Sequence, residues 1–118
     1  MSAVFNESEA LERCFRSRKM LEEMIQCFFK DFATLLPQMR AALQAGDLTE
    51  VGRLGHRLKG TVVYLGADGA VEAAVAVERF ERCPGKPAEA KAAVRKFAEA
   101  CEALRKALVE LRSENWTT

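Results

Sequence analysis

One histidine occurs in the 118 residues, His56, and its neighbours are the first sign of chemistry. It lies in VGRLGHRLKGTVVYLG, residues 51–66, a run that also holds four glycines. Lys59 follows three positions later, Gly52 and Gly60 stand four positions to either side, and Arg53 and Arg57 add two cations. A neutral imidazole is a competent nucleophile near neutral pH, since its ordinary pKa is about 6.5. The positive charge of Arg53, Arg57 and Lys59 is expected to favour the neutral ring, with its lone pair available. This set suits phosphoryl transfer to nitrogen. Lys59 can stabilise the phosphoryl oxygens, and Gly60 leaves room for the group and for the protein that carries it. Positioning and electrostatics supply most of the catalysis in such a transfer, so few further groups are required.

The run must be helical to present these residues together. At about 100° per residue, Leu54, Leu58 and Leu65 fall within about 20° of the pole opposite His56. Val51 and Val62 flank them on one side and Thr61 on the other, which makes a core stripe. His56 therefore points to solvent. Gly52 and Gly60 are expected to leave the ring unshielded a turn before and a turn after it. Val63 and Tyr64 extend the same face and, with Gly52, Arg53 and Arg57, form the expected docking surface for a partner. Glycine inside a helix costs roughly 0.8–1 kcal/mol relative to alanine, and an approachable patch is the reason offered for accepting it.

The rest of the chain supplies helices to hold this one. Alternating strand-like runs are nearly absent. Asn6 and Glu9 form a capping-box pattern ahead of a short helix at about 7–15. A second helix spans roughly 18–45, between Ser17 and Gly46, with Pro37 expected to kink or break it. Asp47 and Glu50 repeat the capping pattern before the third helix, about 48–65. A fourth, about 69–82, follows Asp68, and CPGKP at 83–87 is the clearest loop. The fifth covers about 88–112, and residues 113–118 are expected to form a flexible tail. Short connections between long amphipathic helices imply one all-α domain over residues 1–118. Its expected form is an antiparallel up-down four-helix bundle with a short extra N-terminal helix. Leu21, Ile25, Phe28, Phe32, Leu35 and Leu43 are its expected core from the second helix. Val71, Val75, Val94, Phe97, Leu104, Leu108 and Leu111 are expected from the last two. Met20, Met24 and Phe29 widen the apolar arc of the second helix, either toward the bundle centre or toward a partner.

Composition narrows the function classes. Acids and bases nearly balance, at a formal net charge of +1, which is unlike a protein that neutralises nucleic-acid phosphates. No run approaches the roughly 20 apolar residues that span a bilayer, so a soluble cytoplasmic monomer is expected, free of membrane and nucleic acid. Cys14, Cys27, Cys83 and Cys101 form no CxxC pair and read as small apolar core residues in a reducing compartment. Neither a phosphate-binding GxxxxGK[ST] loop nor a glycine-rich ATP lid is present, and no cofactor or metal is expected.

HRLKGTVVYLGA, residues 56–67, resembles the signature of histidine phosphotransfer (HPt) domains of bacterial phosphorelays, commonly H-x-L-K-G-[ST]-x-x-x-[LF]-G-A. The shared positions are His56, Leu58, Lys59, Gly60, Thr61, Leu65, Gly66 and Ala67. MRAALQAGD at 39–47 and FNESEALER at 5–13 are similar to the family as well. The resemblance implies the same bundle, with His56 as phosphoacceptor, Lys59 as phosphate-stabilising cation and Gly60 as the small residue that permits docking. It implies receiver domains of response regulators and of a hybrid sensor kinase as partners, with Mg2+ only in the receiver. Val62, Val63 and Tyr64 depart from the small or polar residues more common there. A histidine-kinase dimerisation domain is disfavoured, because its histidine is usually followed by an acid and a proline, whereas Arg57 follows here. The phosphoacceptor domain of a chemotaxis-type kinase shares H-x-[IL]-K-G and stays an alternative, as does a helical adaptor without chemistry.

Overall fold

The computed structural model describes residues 4–83 and 85–115. Among them there are helices and no strand: α1 Glu7–Arg13, α2 Arg18–Gln44, α3 Leu48–Val62, α4 Asp68–Glu78 and α5 Pro87–Asn115. Two 3-10 turns, Val63–Leu65 and Arg79–Glu81, extend the ends of α3 and α4. The helix starts follow from their caps. Asn6, Ser17 and Asp47 each accept a hydrogen bond from the backbone N–H three residues on, at 3.0, 3.1 and 3.1 Å. The reciprocal halves of the two capping boxes are absent, because Glu9 and Glu50 turn to Arg13 and Arg53 instead. Asp68 opens α4 as its first residue rather than capping it; Ala67 precedes it without a side-chain bond. Pro87 sits at the first position of α5, where its missing N–H costs nothing. Glu89 there accepts from the Lys86 N–H at 3.1 Å.

Three boundaries differ from expectation. The α2 helix runs unbroken through Pro37. The end of the fourth segment tightens to a 3-10 turn at Arg79, and residues 113–115, expected in the tail, continue α5. Residues 116–118 of that tail and Pro84 of the CPGKP loop lie outside the described residues.

Packing closes a ring: α2 lies on α3, α3 on α4, α4 on α5, and α5 returns to α2. α1 lies over the turn after α3, where Asn6 N–H donates to the Gly66 carbonyl at 3.1 Å. Gly66 adopts φ +61°, and a Cβ there would stand 2.7 Å from the Asn6 carbonyl oxygen, so the αL turn and the tether both require glycine. The α1–α2 connection instead places two larger residues in the left-handed region, Phe15 at φ +56° and Arg16 at φ +60°. Phe15 is 82% exposed and gains no packing in exchange.

The core takes Leu21, Ile25, Phe28, Phe32 and Leu35 from α2, and Val51, Leu54, Leu58 and Val62 from α3. Val94, Phe97, Leu104 and Leu108 come from α5. Met20, Met24 and Phe29 are half-buried against this core, as are Leu43 and Val71. The α4 helix departs from expectation. It buries Ala70, Ala74 and Val77, while Val75 is 41% exposed. Of the two valines expected in the core, Val71 packs against it and Val75 does not, because α4 turns Ala70, Ala74 and Val77 inward. Cys14 and Cys101 are buried as expected, whereas Cys27 and Cys83 are exposed. Burial pushes the Cys101 thiol up to about 12 and raises Cys14 as well.

Candidate functional site

The leucine stripe of α3 is wholly buried, and this sets the opposite face outward. His56 stands on that face with a side chain 61% exposed. Thr61, at the edge of the stripe, is buried and donates its hydroxyl to Asp31 Oδ2 of α2 at 2.9 Å, which fixes the rotation of α3 against α2.

The two glycines that bracket the ring have different tasks. Gly60 is exposed, and a Cβ there would meet nothing within 4 Å, so the space beside the imidazole is open. Gly52, expected on the exposed docking surface, is buried. A Cβ on it would lie 2.2 Å from the Glu81 backbone nitrogen, and one on Gly55 would lie 2.6 Å from Val77 Cγ1. Both glycines exist to let α4 and its terminal turn approach α3. The wheel explains the split: Gly52 and Gly55 fall on the flank of α3 that turns toward α4, whereas Gly60 falls on the other flank, about 40° beyond the ring.

That close approach delivers a residue absent from the expected site. Glu78, at the end of α4, is in hydrogen-bond contact with His56 Nδ1 through Oε2. Its Oε1 accepts from Lys59 Nζ at 2.8 Å. The carboxylate is therefore shared between the imidazole and the ammonium. The His56 ring N–H, and after it the Lys59 ammonium, hold the Glu78 carboxyl below its ordinary value and keep it ionised. An ionised carboxylate only accepts, so Nδ1 is the donor of this bond and Nε2 is the ring nitrogen not engaged by Glu78. Glu78 thereby orients the His56 imidazole.

The surrounding charge differs from the three free cations expected. Arg53 pairs with Glu50 at 2.6 Å, and Lys59 pairs with Glu78, so Arg57 is left without an ion pair among the described residues. Val63 is half-buried and Tyr64 41% exposed, both in the 3-10 turn against which α1 packs. A cleft of about 700 Å3 opens beside the ring instead, on the α4 side, lined by His56, Lys59, Val75, Glu78, Arg79, Glu81 and Arg82. Sequence reasoning missed its α4 wall because it assigned Val75 to the core. Val75 belongs to α4, whereas Arg79 and Arg82 belong to the 3-10 turn after it and its cap, so the wall forms only where the helix end tightens.

Among the described residues, no helix is long and apolar enough to cross a membrane. Nor does any group of three His, Cys, Asp or Glu side chains gather there to hold a metal ion. A family model described as Hpt domain matches residues 23–114, which includes every residue of the cleft. No curated protein and no solved structure matches the chain. With its family model covering α2 through α5 around a single exposed histidine, this chain belongs to the Hpt domain family, the phosphocarrier modules of two-component signalling.

Proposed function

We propose that the protein accepts a phosphoryl group on His56 from the phospho-aspartate of one receiver domain and passes it to the aspartate of another. Hpt domains interact with receiver domains in phosphorelays. The observation that carries this reading is the only histidine of the chain, exposed on α3 with its Nδ1 side held by Glu78.

In the forward step the Nε2 lone pair attacks phosphorus. The Nε2–P bond forms as the P–O bond to the aspartyl carboxyl breaks, and the aspartate leaves with the electron pair. The ring gains positive charge as it donates that lone pair, and the Nδ1–H bond to the Glu78 carboxylate stabilises it. Lys59, already within reach of that carboxylate, is placed to turn toward the phosphoryl oxygens. The reverse step runs the same bonds back onto the second receiver. Gly60 keeps the approach open on the other flank. The reading assigns Mg2+ to the receiver alone and makes this chain a cytoplasmic monomer that acts on neither nucleic acid nor membrane.

The test is transfer from phosphorylated receivers of the source organism, followed as acid-labile, base-stable label. Wild type should accept label on His56. His56→Gln should keep the helical circular dichroism of wild type and accept none. Label retained on His56→Gln would refute the assignment. A folded His56→Gln that still supports signalling in cells would point to the adaptor instead.

A further inference from the structure

We propose that the α4 wall of the cleft, formed by Val75, Arg79 and Arg82, is the seat for the acidic surface that surrounds a receiver's phospho-aspartate, and that Arg79 and Arg82 select among receivers by charge. This inference rests on the phosphotransfer reading and names the surface through which its partner docks.

Three observations carry it. The first is size. A phosphoryl group needs no more than about 100 Å3, at roughly 30 Å3 for each water-sized unit. The cleft is about 700 Å3, room for a piece of the partner beyond the group being transferred.

The second is the distribution of charge. The acids that line the cleft are Glu78 and Glu81. Glu78 is occupied by His56 and Lys59, whereas Glu81 makes no ion pair among the described residues and offsets one of the cations of the cleft. Arg79 and Arg82 line the same cleft, are exposed, and have no ion pair among the described residues. Lys59, Arg79 and Arg82 against Glu78 and Glu81 leave a positive excess in the cleft, beside a ring that must meet a phosphoryl dianion, in a nearly neutral protein. A Mg2+ site for aspartate phosphorylation is itself built from carboxylates, so the complementary surface is present wherever a receiver offers its phosphoryl group.

The third is Val75. It stands on α4, 41% exposed, and lines the same cleft as Arg79 and Arg82 of the turn that follows. A half-exposed apolar side chain in the same cleft as Lys59, Arg79 and Arg82 suits a small transient interface, where apolar contact supplies affinity and the charged rim supplies selection. The expected alternative surface, Val63 and Tyr64, lies in the turn under α1 and outside this cleft.

The experiment uses the receiver that transfers fastest to wild type in a panel from the source organism. Phosphoramidate serves beside it as a small donor that labels histidine without docking. For each variant, the ratio of receiver-driven to phosphoramidate-driven labelling of His56 is measured at 50 and 300 mM salt. Arg79→Glu/Arg82→Glu should lower that ratio at least tenfold at low salt and flatten its salt dependence. Val75→Asp should lower it at least threefold at both salts. Arg95→Glu, a charge reversal on α5 away from the cleft, should leave it within twofold. Should the double reversal fail to fold, Arg82→Gln alone should lower the ratio about threefold. A ratio within twofold of wild type in the folded Arg79 and Arg82 variants would overturn the proposal, as would an equal loss in Arg95→Glu. Wild type that takes label from phosphoramidate but from no receiver would sink the relay reading itself, and this inference with it.

Discussion

Two glycines of α3, Gly52 and Gly60, can be turned into a measurement of how tightly the site is built. In an open helix, glycine to alanine gains about 0.8–1 kcal/mol. Gly60 meets that condition, since a Cβ there has nothing within 4 Å. Gly52 does not. A Cβ at Gly52 would lie 2.2 Å from the Glu81 nitrogen and 2.8 Å from its Cα, against an ordinary contact of at least 3.4 Å. The α4 end must then retreat by 3.4 − 2.2 = 1.2 Å, and because the obstacle is backbone, no rotamer change relieves it. Overpacking of this kind costs about 1–3 kcal/mol. The helix-propensity gain is common to both substitutions and cancels in their difference. Gly52→Ala should therefore be less stable than Gly60→Ala by about 1–3 kcal/mol, with Gly60→Ala above wild type. At roughly 4 °C per kcal/mol for a domain of this size, the two melting temperatures should differ by about 4–12 °C. Thermal and urea unfolding followed by circular dichroism reads both. Two alanine variants within about 0.5 kcal/mol of each other would refute the reasoning, because the packing cost is placed at the low end by about 1 kcal/mol.

Three other outcomes follow from particular groups. The Glu78 carboxyl is held below its ordinary value of 4.5, so the unfolded chain binds its proton first on acidification. The stability it contributes should be fully present above about pH 4.5 and lost as pH falls through the lower folded value. The urea midpoints of wild type and Glu78→Gln should accordingly converge in acid, and a gap that widens below pH 4 would contradict the pairing. Cys27 and Cys83 are exposed while burial pushes Cys101 up to about 12, so a disulfide reagent should modify two thiols quickly and Cys14 and Cys101 only on unfolding. Phe15→Gly should stabilise the fold by about 0.5 kcal/mol, since relief of left-handed strain exceeds the added entropy of the unfolded chain. A loss on urea unfolding would show that Phe15 has a packing role.

Much of the scaffold was legible because its signals are local. Asn6, Ser17 and Asp47 each announce a helix within three residues, and the Leu54–Leu58–Leu65 stripe fixes the face of α3 by spacing alone. His56 was legible for the same reason. Glu78 was not, since it lies 22 residues downstream and meets the ring only after α3 and α4 pack. The same packing inverted the reading of Gly52, because a missing side chain reads alike whether it faces a docking partner or a neighbouring helix. The distinguishing feature was present in the i, i+3 pair of Gly52 and Gly55 on one flank, which marks a close helix crossing. Val75 misled through hydropathy. In α4 the buried positions are Ala70, Ala74 and Val77, and Val75 is left outside.

The solitary histidine makes the ring a spectroscopic gauge of the gap between two helices. With 1 imidazole in the chain, a nitrogen-15 spectrum of the side chain contains a single pair of ring signals, free of overlap. Their separation reports which nitrogen holds the proton, and that is decided by the carboxylate of Glu78 on the opposite helix. Any substitution, ligand or modification that moves α4 away from α3 will be read at one resonance. The ring proposed to take the phosphoryl group thus also records how it is held.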